Sequence, residues 1–315
     1  MSQRKPALDS TAFAWIVLCC VIWGLGQVSS KVALVEILPF TQVALRSLGA
    51  AALVWLWARL RGITLFDRDG TLPAGLAAGL LFAAEFACIF AGLQYTTASR
   101  MVVFIYLAPF VVALGMPLIA RTERLDAVQF TGLLAAFGGV AWAFAEGFAK
   151  PSAGDRQWLG DALGVAGAVL WGATTLVIRA TRLSHAAAEK TLFYQLAVSG
   201  ATMAIAASLV GEAMPARLSA WPLMSIVFQT VIVCFASYLL WFWLIRHYPA
   251  TQLSSFTLLT PVFGLMAGVG LLGEPMTLRL LVALAAVAGG IALVNRPRAT
   301  PKPVAVPAST GGRPD

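Results

Sequence analysis

Apolar residues run along this chain in long unbroken blocks, with no strand-like alternation. Ten blocks, roughly 12–29, 40–58, 73–93, 98–118, 127–146, 159–178, 191–210, 221–244, 250–272 and 278–294, reach the length at which a helix crosses a bilayer. Short polar breaks separate them, among them Asp67-Arg68-Asp69-Gly70, the stretch from Lys150 to Arg156, and Ala213 to Arg217. Beyond Arg296 the chain is rich in Pro, Ala and Gly and has too little apolar content to fold. The pattern predicts an all-α membrane protein of ten transmembrane helices. Residues 1–11 form a cytoplasmic N-terminal tail, 147–158 a linker, and 296–315 a disordered cytoplasmic tail.

The blocks repeat. The stretch from Gly92 through Pro109 to Pro117 has an echo in Ala250 to Pro261. Laid over one another, Ala98 meets Ala250, Phe104 meets Phe256, Leu107 meets Leu259 and Pro109 meets Pro261. Each copy is followed by a glutamate, Glu123 or Glu274, and then by an apolar block with a glycine pair, Gly138-Gly139 or Gly289-Gly290. Earlier in each half, Trp23-Gly24 is followed by Lys31 and Trp171-Gly172 by Arg179 at the same spacing, while Val17 meets Val165 and Val21 meets Val169. Five helices over 12–146 therefore echo five over 159–295. Five is odd, so the second set enters the membrane from the opposite side, giving two inverted five-helix repeats with a site expected at mid-membrane between them. A proline within a helix removes a hydrogen bond and clashes with the preceding turn. Pro109 and Pro261 are therefore the expected helix breaks.

Composition supports the membrane reading. Of 315 residues, 59% are hydrophobic and 11% charged, far from the roughly 25% charged of soluble domains. The net charge of +8 suits topology better than nucleic-acid binding, because the positive residues sit in breaks and tails. Placing both termini in the cytoplasm puts the larger share of Lys and Arg inside, including Arg59, Arg61, Arg68, Arg121, Arg124, Arg179, Arg182 and Lys190. The first block is longer than a signal-peptide core and no small-residue cleavage site follows it, so it is expected to stay as the first span. Cys19, Cys20, Cys88 and Cys234 all lie in apolar runs and read as small packed hydrophobes.

With Trp-Gly in helices 1 and 6, Arg46 in helix 2, the Pro109 and Pro261 helices, the following Glu123 and Glu274, and the glycine pairs, the chain resembles the ten-helix EamA-type members of the drug/metabolite transporter superfamily over about residues 12–295. The resemblance implies a bacterial inner-membrane protein that exports small metabolites, amino acids or toxic compounds, often by proton exchange. It also implies a central cavity lined by helices 1, 3, 4, 6, 8 and 9. Small-molecule substrate, lipid bilayer and protons are the expected partners, with no nucleic acid, cofactor or metal.

Several residues are candidates for that cavity. Glu85 is the carboxylate nearest the centre of a span, where a charge normally faces protein or water; it suits a proton site or a neutral interhelical hydrogen bond. Trp23 and Gln27 share a helix face, and Trp171 and Thr175 repeat that face in the other half. Tyr106 and Tyr238 add phenols in helices 4 and 8. Arg46 suits a substrate carboxylate, but equally a helix-end cap or a loop acid. Lys31 and Arg179 are expected to snorkel to the interface, and Glu123 and Glu274 to serve tight turns.

Other motifs fail on context. Gly268 to Gly273 matches a dinucleotide fingerprint but lies inside an apolar helix with no strand before it. His185 and Glu189 lack a third ligand and His247 stands alone, so no metal is expected. There is no Walker-type loop, so ATP does not drive this chain directly. A membrane-embedded lipid-acting enzyme would need a cluster of His, Asp and Glu or a Ser/His pair, which the sequence does not offer. A non-transporting sensor or scaffold fits the helices but has no need of a polar cavity.

Overall fold

The computed structural model describes residues 9–119, 127–149, 151, 153–248, 256–257 and 259–294. Its helices are α1 (Ser10–Ala33), α2 (Pro39–Leu60), α3 (Leu72–Gly92), α4 (Ala98–Ile105), α5 (Ala108–Ile119), α6 (Ala127–Ala149) and α7 (Gln157–Ala180). After a single 3-10 turn, Arg182–His185, come α8 (Ala188–Leu209) and α9 (Ala220–Val227). A π-helical stretch (Phe228–Ser237), α10 (Tyr238–His247), α11 (Leu259–Leu272) and α12 (Leu278–Val294) complete the chain. Among the described residues, seven helical spans are long and apolar enough to cross a membrane, and three shorter apolar stretches accompany them. Glu123 and residues 1–8, 250–255 and 295–315 lie outside the described residues.

Helix starts are built from the sequence. The Asp9 carboxylate accepts from Ala12 N at 2.8 Å, and prolines occupy the first turns of α2 and α3, where a missing N–H costs nothing. The fourth span breaks at Tyr106-Leu107 and restarts as α5, with Pro109 in its first turn. The proline thus sits at the start of a second helical piece, where its lost hydrogen bond belongs to the break itself. Pro261 takes the corresponding place early in α11 and is buried.

The halves interlock with two-fold logic. α1 packs on α11 while α7 packs on α4 and α5; α2 packs on the π-helical stretch while α8 packs on α3. The equivalent pairs α2 with α8, α4 with α11, and α6 with α12 pack on one another. Each of these pairs is antiparallel. In the first, the start of α2 meets Glu212 just beyond the end of α8. In the second, Gly264 lies at Val102 and Gly268 at Ser99; in the third, Gly132 lies at Leu293 and Gly139 at Ala286. Inverted repeats require this arrangement. Gly24 and Gly172 mark close approaches between the halves. A Cβ at Gly24 would stand 2.7 Å from Gly264 N and 3.0 Å from the Phe263 carbonyl carbon. One at Gly172 would stand 2.6 Å from Val111 Cβ. Each Trp-Gly pair therefore packs its glycine two to three residues beyond the proline of the opposite half. Small residues at such crossings let helices approach where lipid supplies no hydrophobic drive.

The two ends of the bundle differ. At the Lys31 end, two Gly-Glu turns close helices. Gly273 adopts φ 65° after α11, and Glu274 N returns to Gly268 O at 3.2 Å. That turn aims the Glu274 carboxylate at the start of α4, where it accepts from Ala98 N (2.7 Å), Ser99 N (2.9 Å) and Ser99 Oγ (2.6 Å). Gly211 (φ 76°) does the same after α8, and Glu212 accepts from Thr41 N (2.7 Å) and Thr41 Oγ1 (3.0 Å) at the start of α2. Glu36 accepts from Ser219 N at 2.8 Å, and these contacts hold its carboxyl below its ordinary value, the Ser219 hydroxyl contributing most. At the Asp9 end, Asp69 accepts from Lys190 Nζ (2.8 Å) and Thr71 Oγ1 (2.6 Å). The Lys190 ammonium, then Thr71, hold the Asp69 carboxyl well below the usual carboxylate range.

Candidate functional site

The polar residues of the bundle interior gather on both sides of the two helix breaks. In α1, Trp23 Nε1–H donates to Ser237 Oγ at 2.9 Å, and its ring meets Trp241 edge-on at 5.5 Å. Ser237 closes the π-helical stretch and Tyr238 opens α10, so the altered helical pitch aims both residues inward; π segments are rare and often mark functional sites. One turn beyond Trp23, Gln27 Oε1 is buried with no protein hydrogen-bond partner.

Glu85 is 4% exposed, and its Oε2 has no hydrogen-bond partner either. Arg46 is 2% exposed, with Nε and Nη2 equally unpartnered. Its guanidinium lies 3.8 Å from the centre of the Phe86 ring and 4.8 Å from that of Phe90, a favourable cation–π placement. Both residues sit the same number of positions, about 10 Å of helix rise, inside the Lys31 end of their helices. They interact electrostatically, and both interact with Tyr238. Among the described residues no ion pair closes between them. Arg46 therefore neither caps a helix end nor meets a loop acid, two of the roles its position allowed. A buried cation with idle donors beside a buried carboxylate with an idle oxygen is costly in a bilayer, and such groups mark substrate or ion paths.

On the other side, Tyr106 lies at the break before α5, and its ring meets Trp171 edge-on at 5.8 Å. Its hydroxyl neighbours Thr260, Cys20 and Tyr238. Thr175 donates to Trp171 O of its own helix at 3.1 Å, so its hydroxyl proton is already spent locally. The structure thus joins Tyr238 to Arg46 and Glu85 and, through Tyr106, to Trp171. Trp23 enters through Ser237. Pro109 and Pro261 stand beside Tyr106 and Thr260. These residues come from spans 1, 2, 3, 4, 6, 8 and 9.

A second cluster, which no spacing along a single span announces, lies at the Lys31 end. Arg100 is 2% exposed and donates from Nε to Asp161 Oδ1 (3.1 Å), from Nη2 to Asp161 Oδ2 (2.6 Å), and from Nη1 to Glu146 Oε2 (3.1 Å). Thr96 Oγ1 donates to Asp161 Oδ1 at 2.6 Å, and Thr277 Oγ1 to Glu146 Oε2 at 2.8 Å. Lys31 donates to Thr96 O and feels the Glu274 charge, so it ties α1 to the start of the fourth span instead of snorkelling. The signal was there to find. One basic and two acidic residues, Arg100, Glu146 and Asp161, lie at the same end of three successive spans.

Paired inverted helices, broken spans at matching points and unpartnered charge inside the bundle define a multi-pass membrane transporter. The EamA-like transporter family profile matches residues 10–145 and again 158–296, and the chain belongs to that family. An uncharacterized transporter of Bacillus subtilis (strain 168), YvbV, is 26% identical over 307 residues, covering 97% of each chain. An uncharacterized protein of Pseudomonas aeruginosa is 27% identical over 296 residues, 92% of this chain and 93% of that one. A chain of known crystal structure shares the fold with a TM-score of 0.63 at 18% identity, over 91% of this chain and 98% of its own.

Proposed function

We propose that this transporter is a secondary active exporter of small metabolites, amino acids and related compounds among them, working by alternating access with proton exchange. The observation that carries the reading is the Arg46–Glu85–Tyr238 group, whose idle donors and acceptor suit a polar solute and an exchangeable proton. Trp23, Gln27, Tyr106, Trp171, Thr175 and Tyr238 form the walls of the substrate cavity, and Glu85 is the proton site. The breaks at Pro109 and Pro261 are the points at which the halves flex, because a helix already interrupted there loses no further hydrogen bond on bending. The protein sits in the bacterial inner membrane with both termini cytoplasmic, as the Lys and Arg distribution favours.

The test is flux in proteoliposomes over a panel of amino acids and small organic cations, with and without a pH gradient. Glu85→Gln keeps size and hydrogen-bonding atoms and removes the titration. It is expected to abolish gradient-driven transport while substrate exchange at equal pH persists. Wild-type gradient-driven rates in that variant would refute the assignment of Glu85.

A further inference from the structure

We propose that the cleft between the start of α3 and the end of α7 is a binding site for an anionic phospholipid. It lies outside the bundle interior, at the Asp9 end, and does not depend on the transport reading. The cleft is a wide-open groove offering about 700 Å³, within the roughly 300–1,000 Å³ of ordinary ligand sites. Its rim carries Arg179, Arg182 and His185. Arg179 is exposed, with no protein acceptor among the described contacts. Arg182 spends one N–H on Asp69 O at 3.4 Å and leaves the rest of its fork free.

The neighbouring carboxylates do not neutralise this rim. Asp69 is paired with Lys190, which offsets its charge, and Asp67 is not among the residues that line the cleft. The floor is apolar, formed by Pro73, Ala74, Ala77 and Val177. It continues along α3 into the exposed side chains of Leu76 and Leu80. A basic rim at the membrane boundary above an apolar trough is the shape of a headgroup phosphate followed by its acyl chains. Basic pockets between transmembrane helices bind anionic headgroups in this way. A zwitterionic lipid brings its own cation to the rim, and free phosphate leaves the trough empty.

The experiment uses the full chain, delipidated in detergent, and native mass spectrometry to titrate phosphatidylglycerol, phosphatidylcholine and inorganic phosphate. Wild type is expected to prefer phosphatidylglycerol over phosphatidylcholine by about thirtyfold, on the footing of two surface arginines. Arg179→Gln should remove most of one arginine's share, and Arg179→Gln with Arg182→Gln should abolish the preference. Ala77→Trp, which fills the trough and leaves the rim intact, should weaken both lipids. Equal binding of the two lipids, an unchanged preference in the double variant, or inorganic phosphate binding as tightly as phosphatidylglycerol would each overturn the proposal. Arg179 makes no described protein contact, so its single variant keeps the test open if the double variant does not fold.

Discussion

Removing the Asp161 carboxylate tests whether the Arg100 cluster holds the Lys31 end of the bundle together. Asp161 is 0% exposed, and its two oxygens receive hydrogen bonds from Arg100 Nε and Nη2 and from Thr96 Oγ1. Deleting one partner of a buried pair costs roughly 3–5 kcal/mol, because the other charge stays buried. Arg100 would keep Glu146 Oε2 at 3.1 Å and Ala143 O at 2.5 Å, so the lower end, about 3 kcal/mol, is expected for Asp161→Ala. That amounts to about two orders of magnitude in the folded-to-unfolded ratio. Equilibrium unfolding in mixed detergent micelles measures it. Replacing all three charges, Arg100→Met with Asp161→Leu and Glu146→Gln, should recover at least half of the loss, since no charge is then left buried without its partner. A loss below about 0.5 kcal/mol in Asp161→Ala, the range of ordinary surface substitutions, would refute the reasoning.

Two further outcomes follow from the geometry. Gly24→Ala and Gly172→Ala should each destabilise by about 1–3 kcal/mol in the same assay, because the new methyl meets the opposite half with no room to yield. Gly289→Ala, with open space around it, is the control and should be neutral or slightly stabilising. Asp69→Asn should lower the melting temperature at neutral pH. The carboxyl is held below its ordinary value of 3.8, so its contribution is complete above that value and lost as pH falls through the lower folded value. The gap between wild type and Asp69→Asn should therefore stay constant down to about pH 4 and close below it; a gap that widens on acidification would contradict the Lys190 contact.

Much of the fold could be read from the residues, because membrane spans are set by length and apolar content alone. The repeat showed itself in Trp-Gly and in the paired prolines. What Trp-Gly does was not readable. The glycine serves a crossing with a helix from the other half, and no spacing along one helix reports a partner on a distant one. The sequence leaves Arg46 between three roles, because its rings, Phe86 and Phe90, belong to another span. Lys31 was read from its position at a helix end, which normally favours snorkelling, while the fold supplies the Thr96 carbonyl beside it. The Arg100 cluster fell to the same difficulty, since each member alone looks like an ordinary span-end charge.

The Gly-Glu turns carry one more consequence, which concerns cutting the chain. Glu212 and Glu274, both in the second half, cap α2 and α4 of the first, while Glu36 of the first half caps the start of α9 in the second. Either half produced alone would leave helix ends without their acceptors and, at Ala98 and Ser99, buried N–H groups with no water to take them. Divided within the 147–158 linker and made as two polypeptides, the halves would each need the other to finish their helices. The molecule is thus one folding unit written as two copies, and co-production of the fragments is the condition under which either copy accumulates.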